Sequence, residues 1–234
     1  MVSFALLPWN TGWQSSSAKK TCCCSSRPIS QAVCVSGTVQ SDWVDLIGWG
    51  TWGEGKNPLN TSTNNADYLW STDFSGTLTN ASSTGWCTLT SDEWYYVLYT
   101  RASATVNETT NARYAKAKVA GVQGIILFPD AYTHPSGVVL PIGINDSGNT
   151  GWNGNNYSEA DFVLMQVCGA VFFPAAGYRS GVSANYVNIY GDYWSSSSSS
   201  NVYAHRLGFS DTNIVISDAG RSDGNSVRLV CNVQ

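Results

Sequence analysis

The chain predicts an α+β fold, with two helices packed on irregular antiparallel sheets and long polar loops between them. Three observations carry this. Two apolar helical patterns each open with a capping signature, at Thr90 and at Ser158. At least five short apolar or alternating runs between them and after them read as strands. The connecting stretches, notably 57–80 and 130–157, are too rich in Asn, Gly, Ser, Thr and Pro for element interiors.

Residues 1–37 read as a poorly defined N-terminal segment, and 38–234 as a single domain. Val2-Ser3-Phe4-Ala5 is a candidate opening strand, after which periodicity is lost and Ser15 to Ser26 reads as loop. No basic residue precedes the short apolar run Phe4-Ala5-Leu6-Leu7 and no small-residue cleavage site follows it, so it makes no convincing signal peptide. Trp43 to Gly50 is an aromatic, glycine-rich turn region, and Asn60 to Asn65 a polar loop.

The first helix starts at Thr90. Thr90 and Glu93 have capping-box spacing, in which hydroxyl and carboxylate each satisfy a free amide of the first turn. Trp94, Val97, Leu98 and Arg101 then recur at three and four, which makes a core-facing stripe. Arg113 to Phe128 reads as a hairpin turning at Ala120-Gly121, and Pro129-Asp130 ends it. Residues 130–157 read as a long loop too polar for the core. The second helix runs from its cap Ser158, with Asp161 at the third position, to Gly169, which suits a left-handed stop. Ala170 to Phe173 follows as a buried strand, and Pro174 to Arg179 turns toward the last segment.

In that segment Gly191-Asp192-Tyr193-Trp194 precedes six serines, Ser195 to Ser200, which read as a solvated flexible loop. Tyr203, His205, Leu207 and Phe209 alternate with Val202, Ala204, Arg206 and Gly208, the pattern of a strand. Asn213 to Ile216 pairs with it across Ser210-Asp211-Thr212, Asp218 to Gly224 reads as loop, and Ser226 to Val230 as the closing strand.

Composition narrows the function classes. Charged residues make up 12% of the chain while Trp and Tyr number 10 and 12, so the surface is built largely of Ser, Thr, Asn and Gly, as in many extracellular and virion proteins. With a net charge of -4 and no basic run, the patch that nucleic-acid binding needs is missing. No stretch approaches the roughly 20 apolar residues of a membrane helix. Seven cysteines, three of them adjacent at Cys22 to Cys24, form neither an even disulfide framework nor a paired metal motif. Cys87, Cys168 and Cys231 read as small buried hydrophobes, and Cys168 with Cys231 is the one disulfide worth testing.

Gly85 to Trp94, Pro174 to Arg179, Tyr193 to Ser196 and Ser226 to Val230 resemble, in this order, the signatures of the Fibrobacter succinogenes major paralogous domain and related Bacteroidetes surface proteins. The resemblance runs from about Trp43 to Val230. It implies a C-type-lectin-like fold related to the formylglycine-generating sulfatase-modifying domain. Cys87 departs from the basic residue usual there, and 22–40 match nothing in that family. The fold also resembles the variable proteins of diversity-generating retroelements, whose mutated asparagine codons cannot encode Lys, Glu, Gln, Met or Trp. None of those five occurs from Ser195 to Val233.

For catalysis the candidates are weak. The formylglycine generators need a reactive cysteine arrangement, and only Cys231 lies beyond the last polar loop. His134 and His205 have no nucleophile and orienting carboxylate at recognisable spacing. The sugar-binding triplets of calcium-dependent lectins are missing, Phe128-Pro129-Asp130 being no match. Calcium would need clustered oxygens, for which Asp211, Asp218 and Asp223 are the available carboxylates; they read equally as turn formers, and no cofactor is expected.

Binding is the better-supported class. Tyr offers large contact area at low entropic cost, and Ser, Gly, Asn and Asp offer adaptable hydrogen bonds. The candidates are Tyr186, Tyr190, Tyr203, His205, Arg206, Asp211, Asn213, Asp218, Arg221 and Asp223, with Tyr190 and Tyr203 equally suited to the core and Trp194 assigned to structure. The expectation is a non-enzymatic display protein of a cell surface or virion, holding a protein or glycan on residues 195–224. The alternative is a structural or assembly subunit of a surface appendage or phage particle, and an enzyme related to the formylglycine generators ranks last.

Overall fold

The computed structural model describes residues 4–6, 37–38, 47–48, 51–52, 86–180 and 183–232. The loops expected at 15–26 and 57–80, and the cysteines at 22–24, lie outside the described residues. The strands run β1 Phe4–Leu6, β2 Gly37–Thr38, β3 Ile47–Gly48, β4 Thr51–Trp52 and β5 Trp86–Thr88. Helix α1, Ser91–Tyr95, continues as a π-helical turn, Tyr96–Thr100. Then come β6 Tyr114–Val119, β7 Val122–Leu127, a 3-10 turn at Trp152–Gly154, β8 Asn156–Tyr157, and helix α2, Glu159–Val167. The remaining strands are β9 Val171–Pro174, β10 Tyr178–Ser180, β11 Ser183–Asn185, β12 Gly191–Ser198, β13 Tyr203–Phe209, β14 Ile214–Gly220 and β15 Leu229–Asn232. The chain is therefore α+β, with two α-helices among the described residues.

A four-stranded sheet of order β8-β6-β7-β9 divides the core. Strand alternation gives it two apolar faces. Ala115, Ala117, Val119, Ile126 and Phe172 face Phe162 and Met165 of α2. Tyr114, Ile125, Leu127 and Phe173 face the other way, onto Trp94, Val97 and Leu98 of the first helix and Tyr193, Leu207, Phe209 and Ile214 of the antiparallel sheet β12-β13-β14. The last strand, β15, lies between β1 and β5 and is antiparallel to both.

Both helix starts form as their sequences predict. The Thr90 side chain accepts from the Glu93 amide and the Glu93 carboxylate from the Thr90 amide, and Ser158 and Asp161 repeat the arrangement. The hairpin turns on Ala120 and Gly121, both at positive φ, 49° and 83°, the geometry a two-residue turn between twisted strands requires.

Four expectations about the course of the chain are corrected. The serine run is not a loop: β12 extends through Ser198, and Ser195 and Ser196 are fully buried. A register shift between Trp194 and Ser198 lets the serines fold inward, where the Ser195 hydroxyl donates to the His205 carbonyl (2.8 Å), the Ser196 amide to the Leu89 carbonyl (2.8 Å), and the Ser91 amide to the Ser197 hydroxyl (3.0 Å). Asp218, Ala219 and Gly220 belong to β14, because pairing with His205, Ala204 and Tyr203 uses backbone groups that polar residues also carry. The closing strand starts at Leu229; Ser226 instead bonds β12, donating to the Asp192 carbonyl and accepting from the Trp194 amide. The 130–157 stretch is long and irregular but enters the core through Tyr132, Val138, Trp152, Asn155 and Tyr157. The Asn155 amide satisfies itself there, donating to the Lys116 and Ile142 carbonyls and accepting from the Ile142 amide.

Cys168 is a free thiol at the end of α2, partly buried against the core, so the pair with Cys231 of β15 does not form.

Candidate functional site

Strand alternation in β13 splits its side chains. Leu207 and Phe209 turn inward, so Arg206 and Gly208 occupy the opposite face, beside Asp192 of β12 and Val215 of β14. Gly208 stands directly across from Asp192. The Arg206 guanidinium passes over it to donate to the Asp192 carboxylate, a path that a Cβ at position 208 would obstruct. Asp192 is buried and Arg206 half-buried.

One wall of this site comes from the preceding segment. Gly177 has φ +70°, and a Cβ there would collide with the Asn185 carbonyl; glycine alone allows the 185–190 chain to lie so close. Its amide donates to the Tyr190 carbonyl (2.7 Å), and Asn188 is anchored through its amide to the Ala175 carbonyl and through its side-chain oxygen to the Gln123 amide (2.7 Å each). The Tyr190 amide closes the turn on the Tyr186 carbonyl. Tyr186 itself adopts φ 55°, an uncommon conformation for a bulky residue, which marks the turn as held by its surroundings. The result is a continuous tyrosine wall: the Tyr178 and Tyr186 rings stack at 5.9 Å, and Tyr190 meets Tyr186 edge-on at 4.9 Å. Tyr186 and Tyr190 remain 47% and 39% exposed, so part of each ring is within reach of a ligand.

Together these groups line an open cleft of about 310 Å³, with Tyr178, Tyr186 and Tyr190 on one side, Asp192, Arg206 and Gly208 on the floor, and Ser210, Asn213 and Val215 on the far lip. Burial lowers the proton affinity of Arg206, opposed by Asp223, Tyr178 and Asp218. Burial likewise raises Asp223 above the usual carboxylate range, against the pull of Arg179 and Arg206. The hydroxyl of Tyr178 is pushed up mainly by burial, then by Tyr186 and Asp223.

The far lip is fixed from inside the protein. Lys116, at the centre of β6, is fully buried, and its ammonium donates to the carbonyls of Ser147 (2.8 Å) and Asp211 (2.6 Å). Burial lowers its pKa while Asp146 and Asp211 push back. The Asp211 carboxylate accepts from the Trp152 amide at 2.6 Å.

Of the ten candidates, Tyr186, Tyr190, Arg206 and Asn213 meet at the cleft. Tyr203, His205 and Asp218 are elsewhere: His205 and Asp218 pair at 2.7 Å, the Ser199 hydroxyl donates to Asp218 at 2.6 Å, and alternation sets His205 on the face opposite Arg206. Asp211 is engaged in holding the turn. Arg221 is only 1% exposed, its Nε donating to the Tyr203 carbonyl, so it is an internal brace rather than a contact residue. Asp223 is not among the lining residues; it interacts with Arg179 and Arg206. Asp211, Asp218 and Asp223 thus have separate partners, and among the described residues no group of three His, Cys, Asp or Glu side chains is placed to hold a metal ion. Both ring nitrogens of His134 are engaged within its own loop, by Tyr132 and the Val138 carbonyl.

Sequence reasoning missed Tyr178, Asp192, Ser210 and Val215. The alternation in β13 already set Arg206 and Gly208 apart from Leu207 and Phe209, and following that face to the neighbouring strands leads to Asp192 and Val215.

No helix among the described residues is long and apolar enough to cross a membrane. No curated protein and no solved structure matches the chain. The profile of a family described as a domain of unknown function (DUF8237) matches residues 150–230, a span that contains α2 and every residue lining the cleft.

Proposed function

We propose that this chain is a C-type-lectin-like display protein of a cell surface or virion that holds a protein or glycan ligand in the tyrosine-walled cleft. Supporting the fold reading are the pairing of the first described strand with the last, the two helices, and a chain end that builds a separate small sheet carrying the candidate surface. The observation that carries the binding reading is the exposed tyrosine wall standing over the Arg206–Asp192 pair. Rigid aromatic area beside fixed polar groups is the composition of a recognition surface. The test is capture of saccharides and cell-surface proteins from an array by the wild type and by Tyr190→Ala. Ligand capture lost in the variant, with its melting temperature unchanged, is expected.

A second reading, an assembly subunit, draws on α2, where Val163, Leu164 and Val167 are 50%, 48% and 82% exposed along one stripe. Self-association in sedimentation that disappears in Val167→Ser, with nothing captured on the array, would replace the first reading by the second.

A further inference from the structure

The cleft's charge balance and wall chemistry narrow its ligand, and this narrowing rests on the binding reading above. Arg206 is neutralised by Asp192 on the floor of the cleft. Among the lining residues one cation, Arg206, faces one carboxylate, Asp192, so the floor itself offers no net charge to draw a phosphate, a carboxylate or an ammonium group. What it does offer is a pair of planar side chains with unused capacity. A guanidinium has five N–H donors in a fixed fork and a carboxylate about four acceptor positions, of which their mutual contact consumes few. Beside them stand the partly exposed rings of Tyr186 and Tyr190, and the cleft is also lined by Asn213 and Ser210.

We infer that the cleft takes a neutral saccharide ring, held without a metal ion by stacking on the tyrosine wall and by hydrogen bonds from its hydroxyls to the Asp192–Arg206 pair. A sugar ring has an apolar C–H face and a rim of hydroxyls that both donate and accept. The face matches an aromatic wall, and vicinal hydroxyls match a donor fork beside a carboxylate. The cleft volume of about 310 Å³ is at the lower end for small-molecule sites and suits one or two rings rather than a folded surface. Because the ion pair is formed before binding, little rearrangement is needed when the sugar arrives.

The experiment uses the full chain in buffer containing a chelator, on an array of neutral, sialylated and sulfated saccharides, with a parallel panel of cell-surface proteins before and after enzymatic deglycosylation. Wild type, Tyr190→Ala, Tyr190→Phe and, as a surface control outside the cleft lining, Val139→Ser are compared. Capture of neutral saccharides that persists at high salt is expected. It should be weakened on the order of tenfold or more in Tyr190→Ala, largely restored in Tyr190→Phe, and unchanged in Val139→Ser. Capture confined to sialylated or sulfated sugars, capture that needs calcium, or capture of proteins that survives deglycosylation overturns the saccharide inference and leaves the binding reading standing. Capture of neutral sugars indifferent to Tyr190→Ala overturns the assignment to this cleft. Silence on both arrays overturns both.

Discussion

The Arg206 guanidinium reaches the Asp192 carboxylate across Gly208, through the space that a Cβ at that position would take. The ion pair and the glycine are therefore one device. Arg206→Ala leaves a buried carboxylate without its guanidinium and should cost about 3 kcal/mol in chemical denaturation, the low end for a broken buried pair because Arg206 is partly exposed. Gly208→Ala should cost less, because the guanidinium it displaces is the end of a flexible side chain that can shift aside. The double variant should fall well short of the sum, since both changes break the same contact. Additive losses would mean that the two residues act independently.

Lys116 is a second internal organiser, and burying its ammonium is itself costly, which lowers its pKa. Lys116→Met removes that cost but leaves the Ser147 and Asp211 carbonyls without their donor, so the global loss should stay within about 1–3 kcal/mol. The local effect should be larger. Hydrogen exchange of the Trp152 amide, now bonded to Asp211, should accelerate well beyond the change in global stability. Unchanged protection at Trp152 would show that Lys116 does not hold the lip.

Asp146 sets the acid limit of the same loop. Its carboxylate accepts from the amides of Asn149 and Gly148 (2.9 Å each) and Thr150 (2.7 Å), which holds it well below the usual carboxylate range. A carboxyl whose folded pKa is depressed contributes stability that is complete above its unfolded value, about 3.9, and is lost as pH falls toward the folded one. The melting-temperature gap between wild type and Asp146→Ala should be constant above about pH 5 and close progressively below about pH 4. A gap independent of pH would assign the effect to packing instead.

The buried serines predict an effect that a flexible loop would not show. Ser195→Ala removes the hydroxyl that bridges β12 to the His205 carbonyl, and Ser197→Ala removes the acceptor for the first amide of α1. Each should lower unfolding free energy by about 0.5–1.5 kcal/mol. Values near zero for both would return the run to the status of a linker.

If a retroelement diversifies this gene, the case that the residue types missing from 195–233 raise, sibling genes should differ at exposed positions such as Asn213, Val215 and Tyr203. They should agree at Leu207, Phe209 and Ser196, which the core cannot exchange freely. Sequencing siblings decides it, and changes spread evenly along the chain would end the idea.

The sequence by itself determined those features whose hydrogen bonds close within a few residues. Thr90 with Glu93, Ser158 with Asp161, and the Ala120-Gly121 turn are legible because donor, acceptor and backbone conformation are all local. The alternation of β13 was legible too, because successive side chains of a strand point to opposite faces and the large apolar ones, Leu207 and Phe209, share one of them. Only the tertiary structure decided where the serine run goes, since a polar backbone pairs as well as an apolar one and its place in β12 depends on partners some ten residues away and at the start of α1. It also decided the candidate site. Arg206 meets Asp192 through strand register, and Tyr178, Tyr186 and Tyr190 converge through the close backbone approach at Gly177, two relationships that span sheet and loop and leave no local trace in the order of residues.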